Sequence, residues 1–201
     1  MKSLTDLNLQ AVMDTSSNDL SSEFFVPLLS NSIRYDRGVG FFSSGWLRIN
    51  STGMVAFANN GGQARWVTSP ILDQSDWEAL QAGITARSDP VLRKVLEHNI
   101  TDLAETLEKN TLSALAWMVA DEIITFKLAI PQDKLNHGDF HDKFGIFTDA
   151  QGNQVSFNGS FKGSSSATNA LSRRFSSRRA CSSSSCVIPV LYLVSSPLAS
   201  R

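Results

Sequence analysis

The C-terminal part of the chain contains no acidic residue. All 19 aspartates and glutamates lie within residues 1–149, whereas residues 162–201 hold six lysines and arginines and no acid. The formal net charge of −1 is therefore the sum of an acidic body and a basic tail. By itself this overall charge favours no class of binding partner.

The body of the chain also lacks cysteine, because Cys181 and Cys186 both lie in the tail. This excludes a disulfide or a thiolate metal site from the body and fits a reducing compartment. The first 20 residues lack the basic start and apolar run of a secretory leader, and no apolar run approaches the roughly 20 residues that cross a bilayer. We therefore expect a cytoplasmic protein without a membrane partner, a metal or a cofactor.

The body has the composition and patterning of a single α/β domain. With 201 residues, of which 42% are hydrophobic, the chain can bury one core. Residues 37–44 and 64–71 read as buried strands, and the helix predicted between them spans residues 45–62, with Ser43 or Ser44 as its N-cap and Gly61-Gly62 at its end. A strand–helix–strand unit implies parallel strands.

Further elements follow the same logic. Residues 24–32 are predicted to form a short helix or an extended entry, a helix follows Ser75, and helical spacing of apolar residues over 90–107 predicts an amphipathic helix packed on the sheet. A helix over 112–122 leads into a strand over 123–131. Segments 143–149 and 154–160 form a predicted hairpin with Gly152-Asn153 at its turn. The expected fold is a mixed β-sheet flanked by helices.

Residues 166–201 form a serine- and arginine-rich tail without periodicity, and 14 serines lie between positions 160 and 201. Such a segment is typical of a disordered linker, a basic anchor or translation in a shifted reading frame, and we favour the last. The predicted division is therefore a domain over 1–165, with its C-terminal part missing, and a low-complexity tail over 166–201.

The stretch HDKFGIFTDAQGNQVSFNGS, residues 141–160, carries the candidate chemistry. His141 and Lys143 are two residues apart on a predicted strand and therefore project from one face. Lysine supplies a fixed positive charge for a phosphate oxygen, and histidine a nitrogen that attacks phosphorus or moves a proton at neutral pH. At the end of the next strand, Gly159 and Ser160 offer backbone N–H groups and a hydroxyl to the same phosphate.

Together with YDRGVGFFSSGWL, ARWVTSPIL and WMVADEIITFKLAIP, this stretch resembles the phospholipase D-like (HKD) domain found at the N-terminus of bacterial DEAD/DEAH-type helicases and restriction-associated proteins. The resemblance covers residues 20–165. It implies a metal-independent phosphodiesterase that acts through a phosphohistidine, with His141 as nucleophile or acid, Lys143 as phosphate ligand and Ser160 as supporting donor.

The chain departs from the family pattern at two supporting positions. Five residues separate Lys143 from Asp149, one more than in the family, so Asp149 starts the turn. Lys162 occupies the position of the family asparagine, and lysine can only donate hydrogen bonds. Gly159 matches the pattern.

The family site combines two motifs, and this chain has one. His98 reads as a solvated helix residue and His137 as a weak candidate for the second histidine. The resemblance therefore implies a homodimer or a partner chain with the site on a two-fold axis, and it implies nucleic acid, DNA in the first instance, and a helicase domain or subunit as partners.

Three arginines, Arg34, Arg37 and Arg65, lie near predicted strand ends and are candidates for a nucleic-acid groove, although scattered surface arginines are the plainer interpretation. Two alternatives to the nuclease-like module stay open. One is an inactive relic that binds nucleic acid or a partner, and the other is a lipid-active enzyme, which the absence of an interfacial amphipathic helix disfavours.

Overall fold

A computed structural model of the protein describes residues 1–13, 16–96, 102–129 and 142–159, together with the backbone of a short strand at 193–194. Its central element is a mixed β-sheet in the order β3-β2-β1-β4-β5-β6. The strands are β1 Arg34–Val39, β2 Gln63–Thr68, β3 Ile124–Leu128, β4 Phe144–Thr148, β5 Gln154–Asn158 and β6 Leu193–Val194. β1, β2 and β3 are parallel, and β4 runs antiparallel to β1.

The described α-helices connect these strands. They are α1 Val26–Ser30, α2 Gly45–Ile49, α3 Ser51–Asn59, α4 Gln74–Ala86, α5 Pro90–Leu96, α6 Leu103–Lys109 and α7 Thr111–Ala120. A π-helical turn, Ser21–Phe25, precedes α1, and a 3-10 turn covers Leu4–Asp6. The predicted α/β class, the parallel β1–β2 pair and the helices at 24–32, after Ser75 and over 112–122 are confirmed.

The helices pack on one face of the sheet. Alternate residues of β1 and β2 are buried on this face, with Tyr35 and Trp66 at its centre. The ring centroid of Trp46 in α2 lies 6.0 Å from that of Tyr35 and 5.4 Å from that of Trp66. Phe147 of β4 stacks on Tyr35 with ring centroids 4.0 Å apart. The opposite face carries Arg34, Arg65 and other polar side chains and is left largely exposed by the described residues. We call it the open face.

Two predicted boundaries were wrong. The strand predicted over 37–44 begins at Arg34 and ends at Val39, because the chain then turns to bury Phe42 in the core while Phe41 stays exposed. The single helix predicted over 45–62 is divided at Asn50, which is fully buried and whose Nδ2 donates to Trp46 O over 2.9 Å. A side chain that bonds to nearby backbone competes with helix continuation.

The predicted amphipathic helix over 90–107 was wrong in part. In α5, Val91 and Val95 are 73% exposed, so this segment does not pack on the sheet. In α6, Leu103 and Leu107 are fully buried. Spacing predicted the helical conformation correctly, but in α5 only Leu96 is partly buried against the core, whereas Val91, Leu92 and Val95 are exposed.

The hairpin prediction is confirmed. β4 and β5 are antiparallel, with Thr148 opposite Gln154, and Gly152 has a φ of 85° at the turn. A positive φ suits glycine because it has no Cβ. In addition, the backbone of Leu193–Val194, within the predicted low-complexity tail, pairs with β5 as an antiparallel edge strand.

Candidate functional site

The sheet brings Lys143 and Gly159 together. Lys143 directly precedes β4 and Gly159 directly follows β5, and Gly159 N donates to Lys143 O over 2.8 Å. The two residues are therefore opposite each other at the end of the hairpin away from its turn, as the sequence predicts. Lys143 is half-buried.

This end of the hairpin coincides with the carboxyl ends of the three parallel strands. β4 is antiparallel to β1, and its first residue, Phe144, pairs with Gly38 near the end of β1. β2 ends in register with β1, since Thr68 pairs with Val39. In open α/β sheets ligands bind outside the carboxyl ends of the strands. We call this the carboxyl edge of the sheet.

The other residues predicted for the site lie partly outside the described structure. The structure does not describe segments 97–101, 130–141 and 160–192, which contain His98, His137, His141, Ser160 and Lys162. Their predicted roles stay predictions.

Asp149 is not brought together with Lys143. It lies at the other end of β4, is 1% exposed, and accepts hydrogen bonds from the backbone N–H groups of Gln151 and Asn153 at 2.9 and 2.8 Å. Its second oxygen accepts from Leu4 N and Ser3 Oγ, each at 3.0 Å. The carboxylate therefore closes the hairpin turn and anchors the N-terminus, at the edge opposite the candidate site.

These hydrogen bonds set the ionisation of Asp149. Burial alone raises the pKa of the carboxyl, but the bonds from the side chain of Asn153, from the backbone of Leu4 and Asn153 and from Ser3 outweigh it, so the pKa lies below its ordinary value. Asp149 is thus held as a carboxylate by its structural partners.

The three candidate arginines occupy two different environments. Arg34 and Arg65 lie on the open face, where both pair with Asp36, at 2.9 Å from Arg34 and 2.6 Å from Arg65. They also line a pocket of about 420 Å³ at the amino ends of β1 and β2. Its lining residues are Ile33, Arg34, Asn60, Gly61, Gln63 and Arg65.

Arg37 points to the helix-covered face and is only 8% exposed. Its guanidinium carbon lies 4.3 Å from the ring centroid of Trp46 and 5.0 Å from that of Trp66. Burial lowers the pKa of this guanidinium. Burial likewise raises the pKa of the Tyr35 hydroxyl to about 12, so this group is neutral.

Thr68 is a polar residue of the carboxyl edge that sequence reasoning missed. It ends β2, is fully buried, and its Oγ1 has no hydrogen-bond partner among the described residues. The signal that could have indicated it is a hydroxyl residue directly after the apolar run of a parallel strand, in Val67-Thr68-Ser69.

Two classes of site receive no support from the described residues. They include no cluster of three or more histidine, cysteine or acidic side chains that could hold a metal ion. Likewise, no described helix has the length and apolar character needed to cross a bilayer. The carboxyl edge instead offers cationic and hydrogen-bond-donating groups, which suit an anion.

No protein-family model matches the chain, and none of the curated proteins is significantly similar to it.

Proposed function

We propose that the chain is a metal-independent phosphodiesterase module, nuclease-like and phospholipase D-like, of a bacterial helicase, restriction or DNA-repair system. The observation that supports this most is the pairing of Lys143 with Gly159 at the carboxyl edge of the sheet, next to the ends of three parallel strands. The spacing of the motif requires this pairing if one phosphate is to meet both strands of the hairpin.

The proposed reaction has two steps. A nitrogen of His141 attacks phosphorus, the phosphorus–oxygen bond to the leaving group breaks, and that oxygen takes a proton from a second histidine. A water molecule then gives a proton to the second histidine as its oxygen attacks phosphorus; the phosphorus–nitrogen bond breaks, which releases the phosphate and regenerates His141. Lys143 and, as the resemblance implies, the Ser160 hydroxyl stabilise the negative charge that develops on the phosphate oxygens, which is the task of a metal ion in other phosphodiesterases.

The second histidine comes, in this proposal, from another copy of the chain across a two-fold axis. A homodimer then contains two copies of the motif and forms one complete site. Size-exclusion chromatography with light scattering measures the mass of the active species. A folded monomer that cleaves DNA would refute the shared site.

Cleavage of labelled DNA in excess EDTA is the direct test. We expect activity in the full chain, loss of activity in His141→Ala, and a decrease of about 100-fold or more in Lys143→Met, since removing one preorganised charge donor commonly has that effect. Lys127→Met is the matched control because Lys127 lies on the open face of β3. Equal activity in the Lys143 and Lys127 variants would contradict the assignment of Lys143.

A second candidate function is a catalytically inactive module that binds nucleic acid or a partner. Two observations favour it: Lys162 stands at the position of the family asparagine, and the Asp149 carboxylate is already occupied at the opposite edge. Under this alternative the chain binds the labelled DNA in the same assay and leaves it intact.

A further inference from the structure

Arg37 is a buried cation without a counter-ion among the described residues. Its Nη1 is buried and has no hydrogen-bond partner. The described carboxylates that are buried are occupied elsewhere, because Asp76 accepts from Ser44 N over 3.1 Å and Asp149 closes the hairpin turn. The neighbouring Asp36 lies on the open face with Arg34 and Arg65. An uncompensated buried charge destabilises a fold.

The surroundings of Arg37 are rich in hydrogen-bond donors. Trp46 Nε1, Trp66 Nε1, Tyr35 Oη and Thr68 Oγ1 are also buried without a hydrogen-bond partner among the described residues. The rings of Tyr35, Trp46 and Trp66 contact one another at centroid distances of 5.4 to 6.0 Å. Indole N–H groups only donate, and neither they nor Arg37 Nη1 has an acceptor among the described residues.

The strand register places Arg37 on the same face of the sheet as Lys143, two residues before the end of β1. Arg37 pairs with Gly145 of β4 and with Trp66 of β2. Lys143 precedes Gly145 by two residues and therefore shares its face. Arg37 and Lys143 are thus diagonal neighbours on adjacent antiparallel strands, an arrangement that sets their Cα atoms roughly 7–8 Å apart.

We propose that Arg37 is a phosphate-binding residue. Its guanidinium binds a phosphate oxygen on the helix-covered face of the sheet, beside Lys143. The planar guanidinium matches phosphate geometry, and stacking between Trp46 and Trp66 fixes its orientation. This inference rests on the proposed function in so far as the phosphate belongs to a phosphodiester substrate, but the binding of free phosphate tests it separately.

The experiment titrates the full chain with inorganic phosphate and follows tryptophan fluorescence, since two indoles contact Arg37. We expect a saturable change, an affinity at least about 10-fold lower in Arg37→Met, and an unchanged affinity in Arg93→Met, a control at an exposed arginine of α5 that pairs with Asp121. Arg37→Lys keeps the positive charge but not the planar guanidinium. It replaces Arg37→Met in the experiment if that variant does not fold, and we expect a similarly reduced affinity for phosphate.

Three results would overturn the inference: no saturable phosphate binding by the wild-type chain, equal affinity in folded Arg37 variants, or phosphate that a short oligonucleotide fails to displace. Its failure is separable from failure of the proposed function. If DNA is cleaved but Arg37→Met cleaves and binds phosphate normally, the function stands and the inference fails. If phosphate binding depends on Arg37 while DNA stays intact, the inference stands and the proposed function fails.

Discussion

Asp149 joins the N-terminus of the chain to the turn of the β4–β5 hairpin, and its replacement by asparagine should weaken that junction. One oxygen accepts from the backbone of the turn, at Gln151 and Asn153. The other accepts from Ser3, from Leu4 and from the Asn153 side chain, each at 3.0 Å. Asparagine has nearly the same shape, so the substitution tests the acceptors and leaves packing unchanged.

The loss of stability depends on which of the groups that donate to Asp149 can become acceptors. If the amide oxygen of the new asparagine takes the turn position, its NH2 group faces three donors. The Ser3 hydroxyl can rotate and the Asn153 amide can flip, so that both accept. Leu4 N cannot change, and a buried N–H without a partner costs about 1–3 kcal/mol. We expect Asp149→Asn to lower the free energy of unfolding by about 2 kcal/mol, which lowers Tm by roughly 4–8 °C in a protein of this size.

Thermal unfolding followed by circular dichroism measures this change. Asp142→Asn is the control, because Asp142 is exposed and substitutions at such positions usually alter stability by less than about 0.5 kcal/mol. Cleavage per folded molecule should stay at the wild-type level in Asp149→Asn, since Asp149 lies at the edge opposite Lys143. Wild-type stability combined with lost cleavage would refute the structural role.

The pH dependence of the stability tests the same role of Asp149. The pKa of Asp149 in the folded protein lies below its ordinary value of 3.8, so its stabilising contribution is fully present above that value. It is lost as the pH falls through the lower folded-state pKa. The stability difference between wild type and Asp149→Asn should therefore be constant near neutral pH and shrink below about pH 4.

Two further substitutions test the packing. In urea titrations, Gly145→Ala should destabilise the protein by about 1–3 kcal/mol, because a Cβ there overlaps the Phe157 ring. Gly45→Ala, whose Cβ has its nearest neighbour at 3.4 Å, should be close to neutral, and equal effects would contradict the register of β4. Leu103→Ala should cost about 2–5 kcal/mol because Leu103 is fully buried, whereas Val95→Ala should be close to neutral because Val95 is exposed, and a large effect at Val95 would contradict that exposure.

Much of the fold could be predicted because its signals are local. Alternating apolar residues, the glycine and asparagine of a tight turn, and helical spacing all act within a few residues, and they predicted the parallel β1–β2 pair and the β4–β5 hairpin. Asp149 also had a local signal, since an aspartate at the start of a turn commonly accepts from backbone N–H groups that follow it. Its link to Leu4 could not be predicted, because the two residues are 145 positions apart.

The break at Asn50 and the exposure of α5 could not be predicted for a different reason. Asn50 divides the helix because it is buried among partners that include Ser21, whose Oγ donates to Asn50 Oδ1 over 3.0 Å. The apolar residues of α5 have the spacing of a packed helix, yet only the tertiary arrangement decides whether a surface faces them. Periodicity predicts conformation more reliably than burial.

The arginines show how far a site depends on non-local register. Arg34 and Arg37 are close in sequence. Side chains alternate between the two faces of a strand, however, so residues three positions apart face opposite sides of the sheet. Arg34 therefore shares the carboxylate of Asp36 with Arg65 on the open face, and its charge is largely compensated. Arg37 lies under the helices without such a partner among the described residues and next to the edge that holds Lys143. Because a buried guanidinium without an anion is destabilising, we propose that a bound phosphate compensates the charge of Arg37.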